Sequence, residues 1–155
     1  ELSTEAMAAV NSFTFLAQQG FYEGSFFFFV NSNYFAQAGD PTCNVSGESI
    51  CSGLGSPGYS LPVEGAVGGH DQWAVVAPAV LEGQEVHGSQ FRILLSADER
   101  LDGKETVFGM VVDGREILEG LADFVPCSVM EVDGCVLGPD VSPALVIEEI
   151  TVEPA

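Results

Sequence analysis

Short apolar runs bounded by turn-forming residues recur along this chain, and that rhythm limits its fold more than any other feature. Phe26 to Val30 and Tyr34 to Ala38 flank Asn31-Ser32-Asn33, a pattern that predicts two strands joined by a tight turn. Beyond a Gly-, Ser- and Cys-rich loop from Pro41 to Gly58, further strands are predicted at Tyr59 to Pro62, Trp73 to Ala77, Gln90 to Leu95 and Thr106 to Val112. A β-branched run from Val146 to Val152 predicts a last strand. Two segments carry helical spacing instead. Met7, Val10, Phe13, Leu16 and Ala17 share a face before Gly20, with Thr4 as candidate cap, and Glu116 to Phe124 offers Ile117, Leu118 and Leu121. The expectation is a mostly β chain, an antiparallel β-barrel with two flanking α-helices in a single domain over residues 1–155.

Composition sets the class of partner. With 46% hydrophobic residues the chain has material for one proper core. Its formal net charge is −19, and Arg92, Arg100, Lys104 and Arg115 are its only fixed cations, so a phosphate backbone is repelled and nucleic acid is not an expected partner. The acids read either as a soluble surface or as a docking face for a basic partner. The apolar segment from Phe13 to Val30 is interrupted by Gln18, Gln19, Gly20, Glu23 and Gly24, so no membrane span is expected. A start at Glu1 without a basic leader reads as a mature or truncated chain.

Cys43 and Cys51 flank a Ser/Gly-rich insertion, and Cys127 and Cys135 repeat the same separation, which predicts two local disulfides and hence an oxidising compartment. Four reduced thiols are the alternative. Neither pair is Cys-x-x-Cys, and His70 and His87 lie far from both in sequence, so no metal is expected, and no cofactor. Asn44-Val45-Ser46 is a glycosylation acceptor if the chain is secreted.

Several motifs stand in a telling order: Gly20-Phe21-Tyr22-Glu23-Gly24, then Gln37-Ala38-Gly39-Asp40-Pro41-Thr42, then Gly88-Ser89-Gln90-Phe91, then Leu101-Asp102-Gly103-Lys104 running into Thr106-Val107-Phe108-Gly109. With the ending Ser142 to Ile150, they make the chain resemble the cyclophilins, the β-barrel peptidyl-prolyl isomerases. The resemblance implies an eight-stranded barrel in which Glu1-Leu2 falls at the end of the second strand, so the first hairpin is expected to be absent from this chain. Either N-terminal residues are omitted or another polypeptide supplies the missing strands, since an open barrel leaves unpaired edges.

The same resemblance bears on chemistry. Rotation about an X-Pro bond crosses a barrier of about 18–20 kcal/mol, and the family is understood to lower it with an arginine that donates toward the twisted amide. Where the family carries Phe-His-Arg-Val, this chain has Phe27, Phe28, Phe29 and Val30, so Phe29 takes the arginine's place and no catalytic residue is assigned. Losing one preorganised donor costs about 10²–10³ in rate. The resemblance maps a substrate or partner groove onto Phe28, Phe29, Tyr34, Gln37, Gln90, Arg92, Arg100, Leu101 and Glu105. Gln37 and Gln90 match the family's glutamines, Tyr34 replaces a phenylalanine under the proline ring, and Leu101 matches an apolar pocket residue. Arg92 replaces a second phenylalanine, Arg100 an aromatic, and Glu105 a histidine.

Plainer roles exist for most of these. Buried amides at Gln37 and Gln90 can satisfy backbone groups, Tyr34 and Trp73 suit a core, and His70 and His87 read as surface or loop histidines. Four consecutive aromatics, Phe26 to Phe29, must point to both faces of a sheet, so the outer pair either packs under a helix or forms an apolar patch that docks a protein. The expected function is a non-catalytic or weakly catalytic binding or structural subunit of a larger protein assembly, a membrane-associated complex being one form. The alternative is an active, divergent isomerase using Gln37, Tyr34 and Gln90 with Arg92 or Arg100 as donor. By family analogy the compartment is the thylakoid lumen, and a secretory or extracellular route fits the cysteines equally.

Overall fold

The computed structural model describes residues 1–31, 33–46, 51–64, 69–80, 84–120, 135–136 and 145–153. Helix α1 (Met7–Gln18) forms where the helical spacing predicts it, but its start is not capped as expected. The capping residue is Ala6, which has no side-chain oxygen, and Thr4 lies too far upstream. Glu64 does the work from a distant loop: the backbone N–H groups of Ala8 and Ala9 donate to its Oε1 and Oε2 at 2.9 and 3.0 Å. A carboxylate there satisfies two free donors and complements the helix dipole. At the other end Gly20, with φ +68°, lets the chain reverse while Phe21 N–H donates back to the Leu16 carbonyl.

The strands are β1 (Phe29–Val30), β2 (Phe35–Ala38), β3 (Ser60–Pro62), β4 (Ala74–Ala77), β5 (Glu85–His87), β6 (Phe91–Leu94), β7 (Thr106–Met110) and β8 (Cys135–Val136). Six make one antiparallel sheet in the order β7-β4-β6-β2-β1-β8, and β3 pairs with β5, which reaches the chain just after β4 through an Ala79–Val86 bridge. Glu1 to Ser3 lie along β7, with Ser3 N–H donating to the Phe108 carbonyl and Met110 N–H to the Glu1 carbonyl, each at 2.8 Å. Helix α2 (Arg115–Gly120) is the first part of the expected Glu116 to Phe124 helix, and the rest of that helix lies outside the described residues. No described helix is long and apolar enough to cross a membrane.

Some elements depart from expectation. The run from Val146 to Val152 is not a continuous strand: it meets Phe26 in a single bridge, with Ile147 bonded to Gly24 and Ser25. Its partner turns away at Tyr22–Ser25, which leaves no further backbone to pair with. Strand β5 falls where no strand is expected, because one buried Val86 between Glu85 and His87 is too short an alternation to signal one. Strand β8 likewise falls where no strand is expected.

Period-2 alternation sorts the sheet residues onto two faces. On one face Val30 sits opposite Ala36, Ala36 opposite Ile93 and Ala38 opposite Phe91. This face carries the main core, where Phe13 of α1 meets the rings of Tyr22, Phe91 and Phe108 with centroids 5.3–5.5 Å apart. The other face carries Phe29, Phe35, Gln37, Arg92, Leu94, Val76 and Val107, and holds a second, smaller cluster with Tyr34 and Leu101.

Candidate functional site

A single cross-strand row brings most of the mapped residues together. Phe29 on β1 is opposite Gln37 on β2, Gln37 is opposite Arg92 on β6, and Arg92 is opposite Val76 on β4. Gln90, two residues before Arg92, and Glu105, two before Val107, share the parity of that row and so the same face.

A polar chain runs along it. Gln90 Nε2 donates to the carbonyls of Gly53 and Gly55 at 3.1 and 2.8 Å, and its Oε1 accepts from Gln37 Nε2 at 2.7 Å. Gln37 Oε1 in turn accepts from Arg92 Nε at 2.7 Å. Arg92 Nη1 donates to Glu105 Oε1 at 2.7 Å, and that oxygen also takes the Ala79 N–H at 3.2 Å. Glu105 Oε2 is buried with no partner among the described residues. Beneath the chain lies an aromatic floor: the Arg92 guanidinium sits 4.4 Å from the Phe35 ring centroid, and the Phe29 ring stacks on Phe35 at 4.8 Å and 25°.

Two devices fix Gln90. Gly39, with φ +89°, lies so close to the next strand that an added Cβ would stand 2.3 Å from the Ser89 carbonyl oxygen, so only glycine allows the approach. The Cys43–Cys51 disulfide, predicted from spacing, is formed and closes the loop that leads to the Gly53 and Gly55 carbonyls. Asp40, fully buried, ties the same loop by accepting from Thr42 and from Gly55 N–H. The proposed Cys127–Cys135 partner bridge lies outside the described residues.

A neighbouring cluster joins the row through Tyr34, whose ring is 4.6 Å from Phe35. Tyr34 Oη donates to Asp98 Oδ2 at 2.9 Å, while Arg100 grips Asp98 with Nε at 2.7 Å and Nη2 at 2.8 Å. The Arg100 hydrogen bonds, with help from Tyr34, hold the Asp98 carboxyl well below the usual carboxylate range. Burial and the Asp98 acceptor push the Tyr34 phenol up. Beside this cluster opens a cavity of about 780 Å³ lined by Asn31, Asn33, Tyr34, Asp98, Glu99 and Arg100.

The structure thus brings Phe29, Gln37, Gln90, Arg92 and Glu105 into one row and sets Tyr34, Leu101 and Arg100 beside it. Arg100 points to solvent with its side chain 81% exposed, committed to Asp98. Phe28 stands apart: adjacent to Phe29, it faces the other way, buried in the main core under Gly53. Phe26 is buried with it, and Phe27 meets Phe91 edge-on, so of the aromatic run Phe29 alone reaches the row. His70, read from sequence as a surface or loop residue, lies in a loop but is buried, its Nδ1 2.6 Å from Asp102 Oδ1, and that hydrogen bond holds Asp102 below its usual pKa. Asp98 and Phe35 escaped the sequence reading. Phe35 is two residues before Gln37 and so shares its face, and Asp98 stands two before Arg100 at the start of a single 3₁₀ turn, both readable as local signals.

A family model described as cyclophilin type peptidyl-prolyl cis-trans isomerase/CLD matches residues 2–150. Peptidyl-prolyl cis-trans isomerase B of Bacillus subtilis (strain 168) is 31% identical over 135 residues, 86% of this chain and 89% of that protein. Peptidyl-prolyl cis-trans isomerase-like 1 of Aspergillus oryzae is 30% identical over 120 residues, 76% of this chain and 70% of the relative. Among solved structures, a cyclophilin type peptidyl-prolyl cis-trans isomerase of Cryptosporidium parvum, crystallised in the presence of the dipeptide Ala-Pro, has the same fold, with a TM-score of 0.72, 24% identity, and coverage of 100% of this chain and 91% of that one.

Proposed function

Because this chain belongs to the cyclophilin-type peptidyl-prolyl cis-trans isomerase family, we propose that its groove binds proline-containing segments of other proteins and turns the X-Pro bond over weakly or not at all. The domain then serves mainly as a binding or structural subunit of a protein assembly. Phe29 carries this reading. It occupies the position matched to the family's arginine, stacked on Phe35, and a phenyl ring has no N–H to aim at a twisting amide. The amides support it as well. Gln37 uses both ends of its side chain on Gln90 and Arg92, so it is committed to the protein's own network before a ligand arrives.

A partner with basic flanks fits the net charge of −19. The Cys43–Cys51 bridge fits an oxidising extracytoplasmic compartment, whether thylakoid lumen or secretory route. The test is an NMR titration of the oxidised protein with a peptide holding one X-Pro bond. Saturable shifts at Phe29, Tyr34, Gln37 and Arg92 are the expected result, and shifts absent from that row refute the reading. A second reading, an active isomerase, is favoured by the likeness to the Bacillus subtilis protein and by the guanidinium that Arg92 brings to the row.

A further inference from the structure

We propose that Arg92 is this groove's guanidinium donor to a bound prolyl segment, and that Glu105 is the counter-ion that restrains it. The inference rests on the prolyl-binding reading above and assigns what limits turnover there. Arg92 approaches from β6, across Gln37 from the position that Phe29 fills on β1. Its Nε is fixed by Gln37 and its plane by the Phe35 ring, which is the preorganisation that a donor needs. Its side chain is 20% exposed, so a ligand in the groove can reach it, and Nη2 makes no hydrogen bond among the described residues. Arg100 is no rival, because it lies on the 3₁₀ turn beside the row, its side chain 81% exposed and turned onto Asp98, with no ring beneath it to fix its plane.

Glu105 limits this donor in two ways. It takes Nη1, and it places a negative charge 2.7 Å from the positive one. The carboxylate is 6% exposed, so water screens it little and the pair presents a dipole to the groove instead of a full charge. Isomerisation makes and breaks no covalent bond. What matters is the potential at the pyramidalising prolyl nitrogen, and neutralising the guanidinium lowers that potential.

Glu105→Gln separates the charge from the geometry. The amide oxygen keeps the bonds from Arg92 and Ala79, and the amide nitrogen takes the place of the unpartnered Oε2. Exchange NMR on the full oxidised chain with a single-proline peptide reads both the bound cis/trans rate and the peptide Kd. We expect Glu105→Gln to raise the rate, up to the about 10²–10³ that one preorganised donor contributes, with Kd changed less than about threefold. Adding Arg92→Met should erase the gain. A gain that survives Arg92→Met, or no gain at all, overturns the proposal. Should Glu105→Gln fail to fold, Glu105→Met, which also removes the counter-charge, decides: a rate gain that Arg92→Met erases supports the donor, and no gain, or a gain that survives Arg92→Met, overturns it. Absence of peptide binding by the natural chain defeats the prolyl-binding reading and this inference with it, whereas binding without dependence on Arg92 defeats this inference alone.

Discussion

Arginine placed at Phe29 should speed turnover far less than one preorganised donor can, and the structure gives the reason. A donor at that point is worth about 10²–10³ in rate, or about 2.7–4 kcal/mol. Two effects oppose it in Phe29→Arg. The acceptor opposite, Gln37 Oε1, is already occupied by Arg92. The new charge also lies two strands from Arg92, at about 9.5 Å backbone to backbone, so holding it in the donor pose instead of turned away to solvent costs about 1.7 kcal/mol at an effective dielectric near 20. Subtracting that leaves about 1–2.3 kcal/mol, a gain of about 5–50-fold. The loss of the Phe29–Phe35 stack, about 0.5–1.5 kcal/mol, falls on stability. In Phe29→Arg with Arg92→Phe the occupied acceptor is freed and the repulsion vanishes, so the full 10²–10³ is expected. The assay is the catalysed exchange rate of a single-proline peptide for the natural chain, both single variants and the double. A single Phe29→Arg variant as active as the double refutes the argument that Arg92 occupies the place.

Other consequences follow from the same geometry. Glu64→Ala removes the remote cap of α1 and should cost about 1–2 kcal/mol in urea unfolding; a change under about 0.3 kcal/mol refutes the capping role. Reducing Cys43–Cys51 by a dithiol opens a loop of sequence separation 8 and should cost about 2–2.5 kcal/mol of stability. It should also weaken peptide binding, because the Gly53 and Gly55 carbonyls then hold Gln90 less firmly; a titration with equal Kd in both redox states would contradict that link. Asp98 and Asp102 both titrate below their usual range, Asp98 through Arg100 and Asp102 through His70. Their folded pKa values are depressed, so their stabilisation is in place above the ordinary carboxylate pKa of about 3.9 and fades as pH falls through the folded values. Amide exchange in the Asp98–Leu101 turn, held by the Asp98–Arg100 contact, should therefore be insensitive to carboxylate protonation between about pH 5 and 7 and accelerate relative to the core below about pH 4. Acceleration already at pH 6 would contradict the assignment.

Strands β2, β6 and β7 were legible as short apolar runs bounded by turn-forming residues, a local signal, and side-chain parity within each strand is local too. The same parity places Gln37, Gln90 and Arg92 on one face, and it also separates Phe28 from Phe29, which a motif match alone does not. What stayed hidden was set by distance along the chain. The Arg92–Glu105 pair joins β6 to the start of β7 across the intervening β4, and no local pattern encodes that register. Glu64 caps a helix 56 residues away from Ala8, while nearby Thr4, the residue a sequence rule selects, does not. The His70–Asp102 contact likewise spans 32 positions. The cysteine spacing did reveal Cys43–Cys51, since a short loop closes a bridge with little help from the rest of the fold.

The most direct test is the exchange rate of a saturating single-proline peptide on the natural, oxidised protein. Phe29 stacked on Phe35 and Arg92 tied to Glu105 predict a bound peptide whose bond turns over within about a hundredfold of the uncatalysed time of tens to hundreds of seconds. Exchange in milliseconds on the unaltered chain would contradict the account, for a groove with one restrained guanidinium and a phenyl ring cannot supply it.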